Sequence, residues 1–574
     1  VNLLPQPREV ALGGPAVEVT EPVEHVGAGG LAPEGYQLTI ATDGAVRIDA
    51  ADPAGAAHAR RTLTQLRRLH GGRAPAGTVR DRPDLPVRGV MLDVSRDKVP
   101  TMATLRALVD RLAEWKVNHL ELYAEHTFAY RDHEVVWRDA SPFTPAEIRE
   151  LDRYCAERHV ELVPNQNCLG HMGRWLRHAP YRDLAMAPDG YTQPGIRRGP
   201  TTIEPGDPRA LALVRGLLTE LLPCFSAHRF VHVGLDEPWE MPPERLDDYL
   251  AWVRQLRALP ELTGRELLMW GDVLGGDPAP LRALPDGVTV CEWGYDAGHP
   301  FAARAAAYAA AARPFWTAPG TSSWLSILGR VTNLRANCAE AMEAALAHGG
   351  GGVLVTDWGD QGHLQYLPIA EPGLAYGAAV AWGLDANRDL DLGAALSAHC
   401  YDDPTGGLAD ALLRLGDAHR VLTPQLPNIA TLVMHLYWPQ ITVGRGPLAG
   451  TRGDEYAAVQ EQLAAATAAI DRSASARADG ALVADELRNA IALVSILCDD
   501  ARARLAGDGT LASIPAPHRR DLVTALEPVI TEHERLWLAR NRPGGLPDSR
   551  AWLEHLRACY ETGTAERSWG GPES

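Results

Sequence analysis

From Val87 onward, short apolar runs recur with longer segments between them whose apolar positions return every three or four residues. Eight runs stand out: "VRGVMLDVS" (87–95), "HLELYAE" (119–125), "VELVPNQN" (160–167), "RFVHVGLDE" (229–237), "ELLMWGDV" (266–273), "VTVCEWGY" (288–295), "RPFWTAPG" (313–320) and "GGVLVTDWGD" (351–360). The intervening segments read as helices. "TMATLRALVDRLAEWK" (101–116) carries a helical apolar stripe, and "TPAEIRELDRYCAERH" (144–159) opens on a Thr-Pro start signal. Strand alternating with helix predicts parallel βα units, and eight of them predict an α/β fold of the (β/α)8 TIM-barrel type, usually about 250 residues before insertions.

The flanks differ in pattern. Residues 1–83 hold short alternating runs, "AVEVT" (16–20), "YQLTIA" (36–41) and "AVRIDA" (45–50), then a helical "AAHARRTLTQLRRL" (56–69), which predicts a small α+β domain closed off by Pro83 and Pro86. Residues 84–395 form the predicted barrel. Residues 396–574 read as helical throughout and carry no visible chemistry. Packing against the barrel, or against a second copy in a homodimer, is the role expected of them.

Composition narrows the function. A formal charge of −18 argues against nucleic acid as a partner, because phosphate binding needs a basic face. No stretch approaches the ~20 apolar residues of a membrane span, and the first residues lack a signal-peptide pattern, so a cytoplasmic protein is expected. The eight cysteines are scattered without a C-x-x-C pair, and His126, His133, His171 and His232 lack zinc-motif spacing. No Gly-rich phosphate loop opens a helix after a strand, so neither a metal nor a cofactor is expected.

In such barrels the loops after the strands build the active site. Here nearly every predicted strand ends in polar or aromatic residues: Asp93 and Arg96, Glu125 and His126, Asn165 and Asn167 with His171 beyond, Asp236 and Glu237, Trp270 and Asp272, Glu292 with Trp293 and Tyr295, Trp316 with Trp324 beyond, and Trp358 with Asp360. Each alone has a plain structural explanation. Carboxylates and tryptophans converging on one mouth are what a sugar pocket needs, since indole faces stack on sugar rings and acids bind their hydroxyls. Ordinary glycosidases place two carboxyl groups across the scissile bond. Adjacent strand residues point to opposite faces, so Asp236 and Glu237 make a poor facing pair, leaving Glu292 or Asp360 as partner acids.

"RGVMLDVSR", "CLGHM", "HVGLDEPWE" and "TDWGD" together resemble glycoside hydrolase family 20, the β-N-acetylhexosaminidases, over roughly residues 1–390. The sharpest motif is His-x-Gly-x-Asp-Glu, carried by His232, Gly234, Asp236 and Glu237. The resemblance implies that the substrate's own 2-acetamido oxygen is the nucleophile, one of the exceptions to the two-carboxylate rule. It implies Glu237 as general acid and base and Asp236 as acceptor of the acetamido N–H. Arg96, His171 and Asp360 match sugar-binding positions, and Glu125 stands where the family more often has aspartate. Trp270, Trp293 and Trp358 match pocket walls. The family's acetamido-binding tyrosine is missing from the seventh strand, and Tyr295 is the substitute offered. The alternatives are a two-carboxylate glycosidase using Glu237 with Glu292, and a non-catalytic sugar-binding barrel.

Overall fold

The computed structural model describes residues 2–193 and 196–565. Its centre is an eight-stranded parallel sheet, here numbered β1 (Val87–Asp93), β2 (His119–Tyr123), β3 (Glu161–Val163), β4 (Phe230–His232), β5 (Glu266–Trp270), β6 (Val288–Trp293), β7 (Phe315–Ala318) and β8 (Gly352–Asp357). The hydrogen-bonded order is β3-β2-β1-β8-β7-β6-β5-β4. The seam between β3 and β4 is closed just beyond β3 by a parallel bridge of Asn165 with His232, where His232 N donates to Pro164 O (2.9 Å) and Gln166 N to His232 O (3.0 Å). All eight predicted runs are therefore strands of one barrel. Each strand is shorter than its run, because the polar ends of the runs belong to loops.

The alternation of each strand sorts its residues by face. Val87 and Met91 of β1, Phe230 of β4, Trp270 of β5, Cys291 of β6, Trp316 of β7 and Leu354 of β8 fill the barrel interior. Val90, Leu92, Val231, Leu267, Val290, Phe315 and Val353 point outward into the core shared with the surrounding helices. Those helices begin where the sequence signals them. Thr101 caps Met102–Glu114 through a bond from Thr104 N (3.2 Å), and Thr144 forms a capping box with Glu147 ahead of Pro145–Ala156.

The N-terminal sheet has the order Glu9–Ala11, Gly77–Asp81, Tyr36–Ile40, Val46–Ala50, Val23–Val26, with the helix Pro53–Leu69 packed on it. Its small core of Tyr36, Leu38, Ile48, Leu63 and Leu66 also touches Trp382 of the last barrel helix, Leu367–Trp382. The C-terminal region is built on the helices Gly453–Arg472, Gly480–Leu505, Ala516–Arg540 and Leu546–Thr562. It is fastened to the barrel by a buried charge cluster. Glu371 on the last barrel helix receives two bonds from Arg477 (2.9 and 3.0 Å) and one from Tyr401 (2.6 Å), with Arg111 3.1 Å away.

Among the described residues no helix is long and apolar enough to cross a membrane.

Candidate active site

Strand β4 ends at His232, four residues before the acid pair, and the chain then leaves the strand conformation. Gly234, Leu235 and Glu237 have φ of +69°, +72° and +46°. Left-handed backbone at a leucine and a glutamate is strained, and such strain collects at functional sites. Two glycines make the turn feasible. A Cβ on Gly234 would lie 2.5 Å from Asn167 Nδ2, and one on Gly170 would lie 2.1 Å from the Asp236 carbonyl oxygen. The bend is pinned by Glu237 N donating to Asp272 Oδ2 (3.0 Å) and Trp239 N to Glu237 O (2.7 Å). The opposite-face rule that disfavours adjacent strand residues thus does not apply, for these acids lie beyond the strand.

Both carboxylates converge on one imidazole. His171 Nε2 stands 3.1 Å from Asp236 Oδ2 and 3.6 Å from Glu237 Oε2, while Nδ1 is 3.8 Å from Glu125 Oε1. Burial opposes charge on His171, but the Asp236 carboxylate, helped by Glu125, outweighs it and holds the imidazole up at about 9. Burial also acts to raise Asp236, yet the His171 cation, Arg96 and a 2.7 Å bond from Asn167 Nδ2 keep it below the ordinary aspartate range. Glu237 moves the other way. Burial, with the charges of Asp236, Asp272 and Asp360, lifts it to about 7 against the opposing pull of His171. Two neighbouring acids are therefore held in different protonation states near neutrality.

Arg96 closes the opposite side. Its Nη1 is 3.2 Å from Asp93 Oδ2 and its Nε 3.5 Å from Glu125 Oε1, and the guanidinium lies 4.9 Å from the ring centres of both Tyr123 and Trp358. Tyr123 OH donates to Glu125 Oε1 (3.0 Å). The aromatic wall is continuous. Trp358 Nε1 donates to Tyr295 OH (2.8 Å), Trp293 stacks on Tyr295 at 5.2 Å, and Tyr295 meets Trp324 edge-on at 4.9 Å. Trp270 is fully buried between His232 (4.4 Å) and Trp358 (6.0 Å), so it forms the floor beneath the wall.

Under that floor Glu121 accepts from Asn165 Nδ2 (2.7 Å) and pairs with His119 Nε2 and His232 Nδ1, each at 2.7 Å. The motif histidine is thus an anchor of the barrel interior rather than a wall of the mouth. Burial opposes ionisation of Glu121, but His232 and His119 together hold it at about 2.

Besides Asn165 beneath the floor, Glu292 and Trp316 do not face the mouth. Glu292 lies on the outward phase of β6, where its Oε1 is 3.0 Å from His299 Nε2 and its Oε2 accepts from the Tyr308 hydroxyl. Trp316 sits low in the barrel against His119 (5.2 Å) and Phe230 (5.0 Å). Conversely, the sequence reading did not single out Tyr123 or Glu121, and it gave Asn167 and Asp272 no role. All four share the inward phase of their strands, which is the signal that finds them.

Among the described residues no group of three or more His, Cys, Asp or Glu side chains is arranged to hold a metal ion.

Comparison with known proteins gives the lineage. The profile of glycosyl hydrolase family 20, catalytic domain, matches residues 86–309, and that of family 20, domain 2, matches residues 8–82. The chain belongs to glycoside hydrolase family 20. Relatives include a beta-hexosaminidase of Akkermansia muciniphila, 26% identical over 269 residues that cover 42% of this chain and 54% of that protein. A lacto-N-biosidase of Bifidobacterium bifidum is 26% identical over 36% of this chain and 18% of its own length. The chain thus spans about half or less of the curated relatives it matches. Among solved structures, the family 20 β-N-acetylhexosaminidase of Streptomyces coelicolor A3(2) superposes with a TM-score of 0.54 at 22% identity, covering 66% of this chain and 83% of that one. A mutant Streptomyces plicatus beta-hexosaminidase in complex with its product GlcNAc gives 0.53 at 22% identity, with the same coverage. These likenesses are of fold, over about two thirds of this chain.

Proposed function

We propose that this chain is a retaining exo-β-N-acetylhexosaminidase that releases terminal β-linked GlcNAc, GalNAc or both by substrate-assisted catalysis. The observation that carries the reading is the pair of adjacent acids meeting at His171 Nε2, Asp236 at 3.1 Å and Glu237 at 3.6 Å, in surroundings that lower the first and raise the second. In the first step the acetamido carbonyl oxygen attacks the anomeric carbon, the bond to the leaving oxygen breaks, and protonated Glu237 gives that oxygen its proton. Ionised Asp236 accepts the acetamido N–H and stabilises the positive charge of the oxazolinium ion. In the second step Glu237, now a carboxylate, takes a proton from the water that attacks the anomeric carbon, which restores the acetamido group with retention.

The remaining roles follow the contacts. Arg96, held between two rings, binds outer hydroxyls together with Asp360, and Glu125 and His171 set the charge around the acids. Trp293 and Trp358 enclose the sugar and N-acetyl group over the Trp270 floor. With Trp358 N–H donating to its oxygen, the Tyr295 hydroxyl keeps its own proton to donate to the acetamido oxygen. Glu292, tied to His299 and Tyr308 on the outer face, gives no support to a two-carboxylate mechanism. A cytoplasmic location belongs to the same reading and agrees with cysteines that are buried and form no disulfide among the described residues.

The test is a pair of aryl substrates. The β-N-acetylglucosaminide is cleaved and the plain β-glucoside, lacking the nucleophile, is not; equal rates on the two would sink the mechanism. Glu237→Gln lowers turnover by at least about 10²-fold, measured at saturating substrate.

A further inference from the structure

Two sets of contacts between the C-terminal helices and the barrel differ in where they land. The Glu371–Arg477 cluster fastens them to a barrel helix. A second set of contacts comes from one short stretch, residues 540–552, and goes instead to the loops at the mouth.

Residues 540–542 pair with the loop after β1. Thr101 N donates to Arg540 O (2.9 Å), Arg542 N to Val99 O (2.8 Å), and Pro100 bridges Asn541. Gly545, at φ +76°, lies so close to Asp97 that a Cβ there would be 2.0 Å from the Asp97 carbonyl oxygen. Gly544 N donates to Ser141 Oγ (2.9 Å), and Arg542 reaches Pro142 O (2.9 Å) and Glu147 (2.8 Å), at the end of the loop after β2. That end is tied back by Phe143 N to Thr127 O (2.9 Å), two residues from Glu125. Asp548 pairs with Arg174 (3.0 Å), which also holds Asp97 (3.0 Å) and stands three residues after His171. Trp552 is packed against Gly362 in the loop after β8, where a Cβ would lie 2.4 Å from the indole. The β1 and β8 loops are themselves joined, by Lys98 Nζ donating to Gln365 O (2.5 Å) and His363 Nδ1 lying 3.2 Å from Arg96 O.

Each of the four loops carries one of the site residues: Arg96, Glu125, His171 or Asp360. Loops are the least stable parts of a barrel, and a pocket gains from having their geometry fixed before the substrate arrives. We propose that residues 540–552 are a clamp that holds the four sugar-binding loops in register, which makes the C-terminal helices a positioning part of the active site. The inference rests on the glycosidase reading for its kinetic consequence but not for its mechanical one.

The experiment uses the full chain with Asp548→Ala, at a partly exposed residue, and separately with Trp552→Ala. Hydrogen–deuterium exchange is expected to speed up in peptides covering residues 96–99 and 360–365 while β4 and β5 stay protected. On the aryl β-N-acetylglucosaminide kcat/KM is expected to fall about tenfold, mainly through KM, with the pH limbs unmoved, and Asp548→Glu to restore it. Unchanged exchange and KM in folded variants, or an exchange increase spread evenly over the chain, would overturn the clamp. A wild-type protein inactive on the aryl sugar defeats the glycosidase reading alone, since loop exchange still decides the clamp.

Discussion

A single imidazole sits between two acids that must do different work, and its charge pulls both toward ionisation. Glu237 has to be protonated for the first step, so kcat/KM falls as pH rises through about 7. Asp236 has to be ionised, so activity is lost at the acid end only below the ordinary aspartate range. His171→Asn removes the cation that pulls both acids down. Both limbs of the kcat/KM profile are then expected to move to higher pH together, with a lower maximum. A profile that loses height without moving would show that His171 acts by contact rather than charge. At this scale the sequence was informative about the acid pair, Arg96 and His171, whose neighbours in the chain form recognisable motifs. It was misleading about Glu292, which is adjacent to Trp293 in sequence but one phase away on the strand, and silent on Tyr123, which lies within an apolar run.

Strand phase is the rule that governs the elements. Asp93, Glu125, Asn167, Trp270, Trp293, Tyr295 and Trp358 continue the inward alternation of their strands, whereas Glu292 continues the outward one. Glu292→Gln is accordingly expected to leave kcat/KM near wild type and to lower the melting temperature, since weakening buried bonds to Tyr308 and His299 costs about 1–3 kcal/mol. A large loss of turnover with unchanged stability would return Glu292 to the mechanism. All eight barrel strands were legible because each is buried on both faces and reads as an apolar run. In the N-terminal sheet, Glu9–Ala11 and Val23–Val26 were not, because edge strands with exposed residues carry no buried alternation.

For the whole molecule, the fastening of the helical region rests on a buried ion cluster. Burial opposes ionisation of Glu371, but Arg477 and Arg111 hold it at about 2. Its contribution to stability is complete above the ordinary glutamate value of 4.5 and is lost as pH falls toward about 2. Arg477→Met is expected to cost about 3–5 kcal/mol by stripping a buried carboxylate of its main partner, read as a lower urea midpoint at pH 7. An unchanged midpoint would mean that Arg111 and Tyr401 alone satisfy Glu371. Helical periodicity announced the C-terminal region, but its attachment was invisible. The contacts are made by a turn of glycines and isolated polar residues, whose partners lie hundreds of positions upstream.

That separation has a consequence for the order in which the protein comes off the ribosome. The last barrel strand is complete at Asp357, whereas Trp552 follows much later in the chain. At ordinary elongation speeds the interval is roughly 10–40 s, long compared with the folding of a domain. A nascent barrel therefore waits without the proposed clamp on its mouth loops until residues 540–552 have been made.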